Sequence, residues 1–143
     1  MKIIEYDNFK VQPLAGALGA EILDIDLNTI NDSVFEEIYK AFVDYQVIGI
    51  PNQNLSPDQY LAFGRRWGEI HHYPYMKGLE THPEILEILK TETDTYAFGN
   101  VWHSDGSFTE VPPKATMLYA QELPPAGGDT LFALAFFIPI SIF

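Results

Sequence analysis

The feature that most narrows the fold is a change of pattern after Gly68. Before it, apolar residues recur at helical spacing in two segments. After it, Pro112-Pro113, Pro124-Pro125 and Gly127-Gly128 cut the chain into short apolar runs. The first helical segment holds Val34, Phe35, Ile38, Ala41 and Phe42, with Ser33 and Glu36 spaced as a capping box. The second starts more sharply, with Ser56 as cap, Pro57 at the first helical position and Gln59 at the third, and Gly68 is its stop. Strands are predicted over residues 9–14, 21–27, 47–51, 85–89, 115–121 and 130–132, with Gly16 and Gly19 turning the chain before the second. A helical bundle is excluded, and a doubly wound sheet lacks later helices to cover both faces. The expected fold is mainly β with flanking helices, a sandwich or jelly roll.

Composition limits the function. Eight Lys and Arg against twenty Asp and Glu give a net charge of -12, the wrong sign for a nucleic-acid partner. The chain has no cysteine, which removes disulfides, thiolate metal sites and cysteine nucleophiles and suits a reducing, cytoplasmic compartment. Glu5 and Asp7 stand where a signal peptide would have its apolar core. The longest apolar stretch, residues 131–143, is interrupted by Pro139 and is too short for a membrane helix.

The chemistry concentrates at Asn100-Val-Trp-His-Ser-Asp-Gly-Ser-Phe108. On a strand, His103 and Asp105 would project from one face, so an imidazole and a carboxylate converge. Such a pair suits zinc, manganese or iron, and oxygenase iron takes two histidines and one carboxylate on one octahedral face. The spacing alone also fits a core histidine beside a turn-capping aspartate. Downstream, the Gly127-Gly128 turn precedes Thr130, placed to open a strand and donate its hydroxyl to a carboxylate. The chain has no HExxH or comparable zinc-hydrolase motif. Trp102 and Phe108 read as core or cavity wall, and residues 90–100 as a lid or a solvated connection.

These residues carry a resemblance. WHSDGSF at 102–108, PPKATMLYAQELPPAGGDTLFA at 112–133 and GEIHHYP at 68–74 resemble the TauD/TfdA-like dioxygenases, as do GALGAEILDIDL and LSPDQYLAFGRRWG. The resemblance implies a double-stranded β-helix, present here in part. It also implies Fe(II), 2-oxoglutarate as cosubstrate, O2 and a small-molecule substrate. His103 and Asp105 fall on the family's first iron-binding histidine and its carboxylate, and Thr130 on the threonine that contacts 2-oxoglutarate. Members couple oxidative decarboxylation of 2-oxoglutarate to hydroxylation, releasing succinate and carbon dioxide. Related halogenases lack the carboxylate, so Asp105 implies a hydroxylase. His71 and Tyr73 fall in the stretch lining the substrate pocket, and Asn100 either contacts substrate or shapes its loop. Tyr73 stands where taurine-type members carry a sulfonate-contacting histidine, which argues against taurine itself.

The family pattern is incomplete. Its distal iron-binding histidine and the following 2-oxoglutarate-binding arginine lie beyond the GGDT turn, but here no histidine follows His103 and no arginine follows Arg66. The expectation is one dioxygenase domain over residues 1–143, truncated at its C-terminal side, with an atypical apolar tail at 134–143. The isolated chain would then be impaired or inactive, with open strand edges that favour self-association. The alternative is a non-catalytic remnant or interaction domain.

Overall fold

The structure, a computed structural model, describes residues 3–73, 75–95 and 98–133. They fall into two compact units, one of Met1–Asn54 with Gln121–Phe143 and one of Leu55–Ala120. The tail at 134–143 lies outside the described residues, as do two positions of the 90–100 loop.

The first unit holds a four-stranded mixed sheet in the order β1-β2-β3-β4. Its strands are β1 (Ile4–Glu5), β2 (Lys10–Pro13), β3 (Ala20–Leu23) and β4 (Ile48–Gly49). The β1-β2 and β2-β3 pairs are antiparallel, with Val11 opposite both Ile4 and Ile22. β3 and β4 run parallel, with Ala20 opposite Ile48, so they need a crossover, and helix α1 (Asp32–Tyr45) supplies it. Val11, Ala20 and Ile22 are buried with Phe9, and Ile38 and Ala41 form the buried stripe of α1. Asn8 donates its backbone N–H and its side-chain amide to the Glu37 carboxylate, tying the β1-β2 turn to α1.

Several boundaries differ from the sequence reading: β1 was not expected, and β2 and β4 are shorter than the runs at 9–14 and 47–51. Helix α1 is capped by Asn31, not Ser33. Asn31 is extended and its side chain accepts from the Val34 N–H at 3.0 Å, so Ser33 already lies inside the first turn. β3 stops at Leu23 because Asp24 turns left-handed, at φ 62°. Beyond it the chain is held by one side chain. Gln53 donates to the Ile25 carbonyl and accepts from the Leu27 N–H, both at 2.9 Å, as a strand neighbour would.

In the second unit, helix α2 (Pro57–Trp67) starts as the sequence indicates. Ser56 accepts from the Gln59 N–H, Gln59 accepts from the Ser56 N–H at 2.7 Å, and Pro57 occupies the first turn. Gly68, at φ 144°, closes it. Leu61, Phe63 and Gly64 are its buried positions.

The jelly-roll expectation is overturned. The two helices, of 14 and 11 residues, outweigh strands of 2, 4, 4 and 2 residues, and the sheet does not close. Residues 85–89, 115–121 and 130–132 form no ladder among the described residues. Only the single bridge Gly78–Leu86 appears in that half. Residues 114–119 bond to the α2 region through one backbone carbonyl and two side chains. Tyr60 donates to the Met117 carbonyl at 2.6 Å, Tyr119 accepts from the Leu55 N–H at 3.0 Å, and Lys114 reaches the Trp67 carbonyl at 2.9 Å. Burial raises the Tyr60 phenol above its ordinary pKa. Among the described residues no helix is long and apolar enough to cross a membrane.

Candidate functional site

His103 and Asp105 lie in the second unit on an irregular segment, not on a strand. Their side chains still converge, with Nε2 3.1 Å from Oδ1, and both are about half exposed, at 50% and 51%. Local backbone replaces the strand pleat. On one side, His103 Nδ1 lies 2.8 Å from the Val101 carbonyl oxygen. On the other, Gly106 turns left-handed at φ 60° and its carbonyl accepts from the Thr109 N–H and hydroxyl at 3.1 and 2.8 Å.

The Val101 contact sets the tautomer. A carbonyl only accepts, so Nδ1 must donate, and in the neutral ring the lone pair is then on Nε2. Nε2 then faces the Asp105 carboxylate across 3.1 Å.

A second histidine–carboxylate pair shows the contrast. His82, which sequence reasoning did not single out, lies 3.1 Å from Asp58 through Nε2. Its Nδ1, however, is 2.8 Å from the Thr81 hydroxyl, which can donate. Nε2–H can then donate to the Asp58 carboxylate, which pins the 78–86 loop to the start of α2.

The His103–Asp105 spacing also fits a metal. Bonds of about 2.1 Å at a right angle put two neighbouring donors about 3.0 Å apart. The pair thus fits two adjacent positions of an octahedral ion. Among the described residues no group of three His, Cys, Asp or Glu side chains is placed to complete such a site.

Other expected residues are placed unevenly. Tyr73 is half-buried and packs edge-on against Tyr75, with ring centroids 5.3 Å apart, and Tyr75 meets Phe108 at 6.5 Å. That aromatic run joins Tyr73 to the 102–108 segment. Asn100 is exposed next to Val101, whose carbonyl meets the His103 ring, and His71 is exposed. Thr130 belongs to the first unit, is exposed and opens no strand, although Gly127 and Gly128 make the expected left-handed turn at φ 80° and 78°. Trp102 and Phe108 are not core: they are 71% and 66% exposed. Residues 91–94 form a polar turn in which the Asp94 carboxylate accepts from the Thr91 N–H and hydroxyl at 2.6 and 2.7 Å.

Residues 10–135 match the model of the family described as "Taurine catabolism dioxygenase TauD, TfdA family". The chain belongs to that family. It is 32% identical over 136 residues to an alpha-ketoglutarate-dependent sulfonate dioxygenase of Saccharomyces cerevisiae, covering 87% of this chain and 33% of that protein. It is 28% identical over 129 residues to an (S)-phenoxypropionate/alpha-ketoglutarate-dioxygenase of Sphingobium herbicidovorans, covering 87% of this chain and 45% of that one. The chain therefore spans less than half the length of these relatives. A crystal structure of a taurine dioxygenase from Burkholderia xenovorans superposes with TM-score 0.49 at 28% identity, over 53% of this chain and 28% of that one.

Proposed function

We propose that this chain carries the His-x-Asp metal segment of an Fe(II)- and 2-oxoglutarate-dependent dioxygenase that hydroxylates a small organic acid, such as a sulfonate. The observation that carries the reading is the facing pair His103 Nε2 and Asp105 Oδ1, 3.1 Å apart, with the other ring nitrogen 2.8 Å from the Val101 carbonyl. His103 and Asp105 hold the iron in this reading, and Thr130 contacts a carboxylate of 2-oxoglutarate. His71, Tyr73 and Asn100 border the substrate. The bound iron and 2-oxoglutarate supply the oxidising chemistry with O2, while the protein orients and encloses the substrate. Val101 keeps the proton on Nδ1 and the Nε2 lone pair available. Asp105 brings the negative charge that favours a dication. The sulfonate class is supported by the activity named for the yeast relative.

Anaerobic titration of the chain with Fe(II) and 2-oxoglutarate tests this. The expected result is the metal-to-ligand charge-transfer band of the iron-bound keto acid, lost in His103→Ala and in Asp105→Ala. A second reading is a non-catalytic remnant or interaction domain. A folded chain that shows no band selects that second reading. The mass of the species in the same titration reads self-association.

A further inference from the structure

We infer that Thr81 is a modification site, a hydroxyl primed by His82 to take an acyl group from an activated ester or thioester. The cluster lies outside the His103–Asp105 segment and needs no metal. Thr81 Oγ1 lies 2.8 Å from His82 Nδ1, and His82 Nε2 lies 3.1 Å from Asp58 Oδ1. The carboxylate only accepts, so Nε2 carries a proton, and in the neutral ring the Nδ1 lone pair faces the hydroxyl. A hydroxyl, a base and a group that orients the base therefore stand in line, the arrangement that activates a weak nucleophile. Thr81 is exposed, so a donor reaches it, while the His82 side chain is mostly covered, at 19% exposure. The loop presenting the pair is closed by the Leu79 N–H on the Ile85 carbonyl and the Ile85 N–H on the His82 carbonyl, both at 2.9 Å.

Other hydroxyls face no such base. Thr29 donates to the Asp26 carbonyl at 3.0 Å, and Ser104 and Ser107 face each other at 2.6 Å. In the step at Thr81, Oγ1 bonds to the acyl carbon and the bond from that carbon to the leaving group breaks, the electron pair going with the leaving group. The Thr81 proton passes to His82 Nδ1 and from there to water, and nothing is oxidised or reduced. Charge selects the donor: Asp58 and the net charge of -12 disfavour an anionic phosphoryl donor but not an uncharged acyl one.

The test is reaction of the folded full chain with p-nitrophenyl acetate at neutral pH. Peptide mass spectrometry locates the acetyl groups, and alkaline hydroxylamine separates threonine esters from lysine amides. Thr29, also exposed, is the internal reference. Asp58 is 90% exposed, so the gain sits below that of an enclosed site, and Thr81 should react about tenfold faster than Thr29. Its rate should fall to that of Thr29 in His82→Gln and severalfold in Asp58→Asn, with the helical circular dichroism of the parent kept. Thr81→Ser keeps the hydroxyl and should stay reactive. A Thr81 rate within about twofold of Thr29 in the parent would overturn the inference, as would acetylation undiminished in a folded His82→Gln. An acetyl group that stays on the His82 ring and never reaches Thr81 also overturns it, since the ring is then the nucleophile. If His82→Gln loses its helical signal, the parent comparison and Asp58→Asn decide.

Discussion

Gly106 follows Asp105 directly, and its replacement by alanine joins two costs that can be separated. The first is backbone strain. Gly106 has φ 60°, and an L side chain in that region costs roughly 1–2 kcal/mol. The second is a collision. A Cβ on Gly106 would lie 2.7 Å from both Cδ and Cγ of Pro113. Carbon atoms rest at about 3.5–4.0 Å, so the proline ring must retreat by about 1 Å. Overpacking of that kind typically costs about 1–3 kcal/mol. The total for Gly106→Ala is then about 2–5 kcal/mol. Gly127→Ala is the matched control, because φ is 80° there and a Cβ would meet nothing within 4 Å. It should cost only the strain, about 1–2 kcal/mol. Native-state hydrogen exchange at the Thr109 amide, which donates to the Gly106 carbonyl at 3.1 Å, reads the local opening. Adding Pro113→Ala to Gly106→Ala should restore about 1–3 kcal/mol as a coupling energy. Equal destabilisation by Gly106→Ala and Gly127→Ala, each at its own turn, or additivity with Pro113→Ala, would refute the collision.

Three further outcomes are expected. Ser56→Ala removes the α2 cap and should cost about 1 kcal/mol in chemical denaturation, with Gln59→Ala and the double variant non-additive because their hydrogen bonds are reciprocal; strict additivity counts against the capping box. Gln53→Ala strips partners from the Ile25 carbonyl and the Leu27 N–H and should cost about 1–3 kcal/mol, while Gln53→Glu keeps only the acceptor and recovers part of it. Hydrogen bonds from the Thr91 N–H and hydroxyl hold the Asp94 carboxyl below its ordinary value. With the folded pKa lowered, the turn's stabilisation is full above the unfolded value and is lost as pH falls through the folded one. The Thr91 amide resonance should therefore titrate with a midpoint below that of an ordinary aspartate, and a midpoint at or above it contradicts the turn.

The start of α2 was legible because its signals are local: Ser56, Pro57 and Gln59 are neighbours whose hydrogen bonds close within one turn. The α1 stripe was legible for the same reason, and its cap was misplaced only because Asn31, two residues earlier, competes with Ser33 on equal terms. His103 and Asp105 do meet, but not through the strand pleat that the spacing argument assumed, because their segment is irregular. Segments whose structure depends on distant partners were not legible. Residues 115–121 carry strand-like composition, but a strand exists only where a second backbone runs beside it. Here Tyr60, Leu55 and Trp67 of the α2 region provide the hydrogen-bond partners instead.

The sequence by itself determined the two helices and the turn glycines, which rest on residues within a few positions of one another, and the family, which rests on motifs spread along the chain. Only the tertiary structure decided that the sheet stays small and mixed, that Gln53 stands in for a strand, and that Trp102 and Phe108 face outward. It also decided the surroundings of each histidine ring. His82 and His103 sit at the same distance from a carboxylate, and the difference lies in what each second nitrogen meets, a hydroxyl that can donate or a carbonyl that cannot.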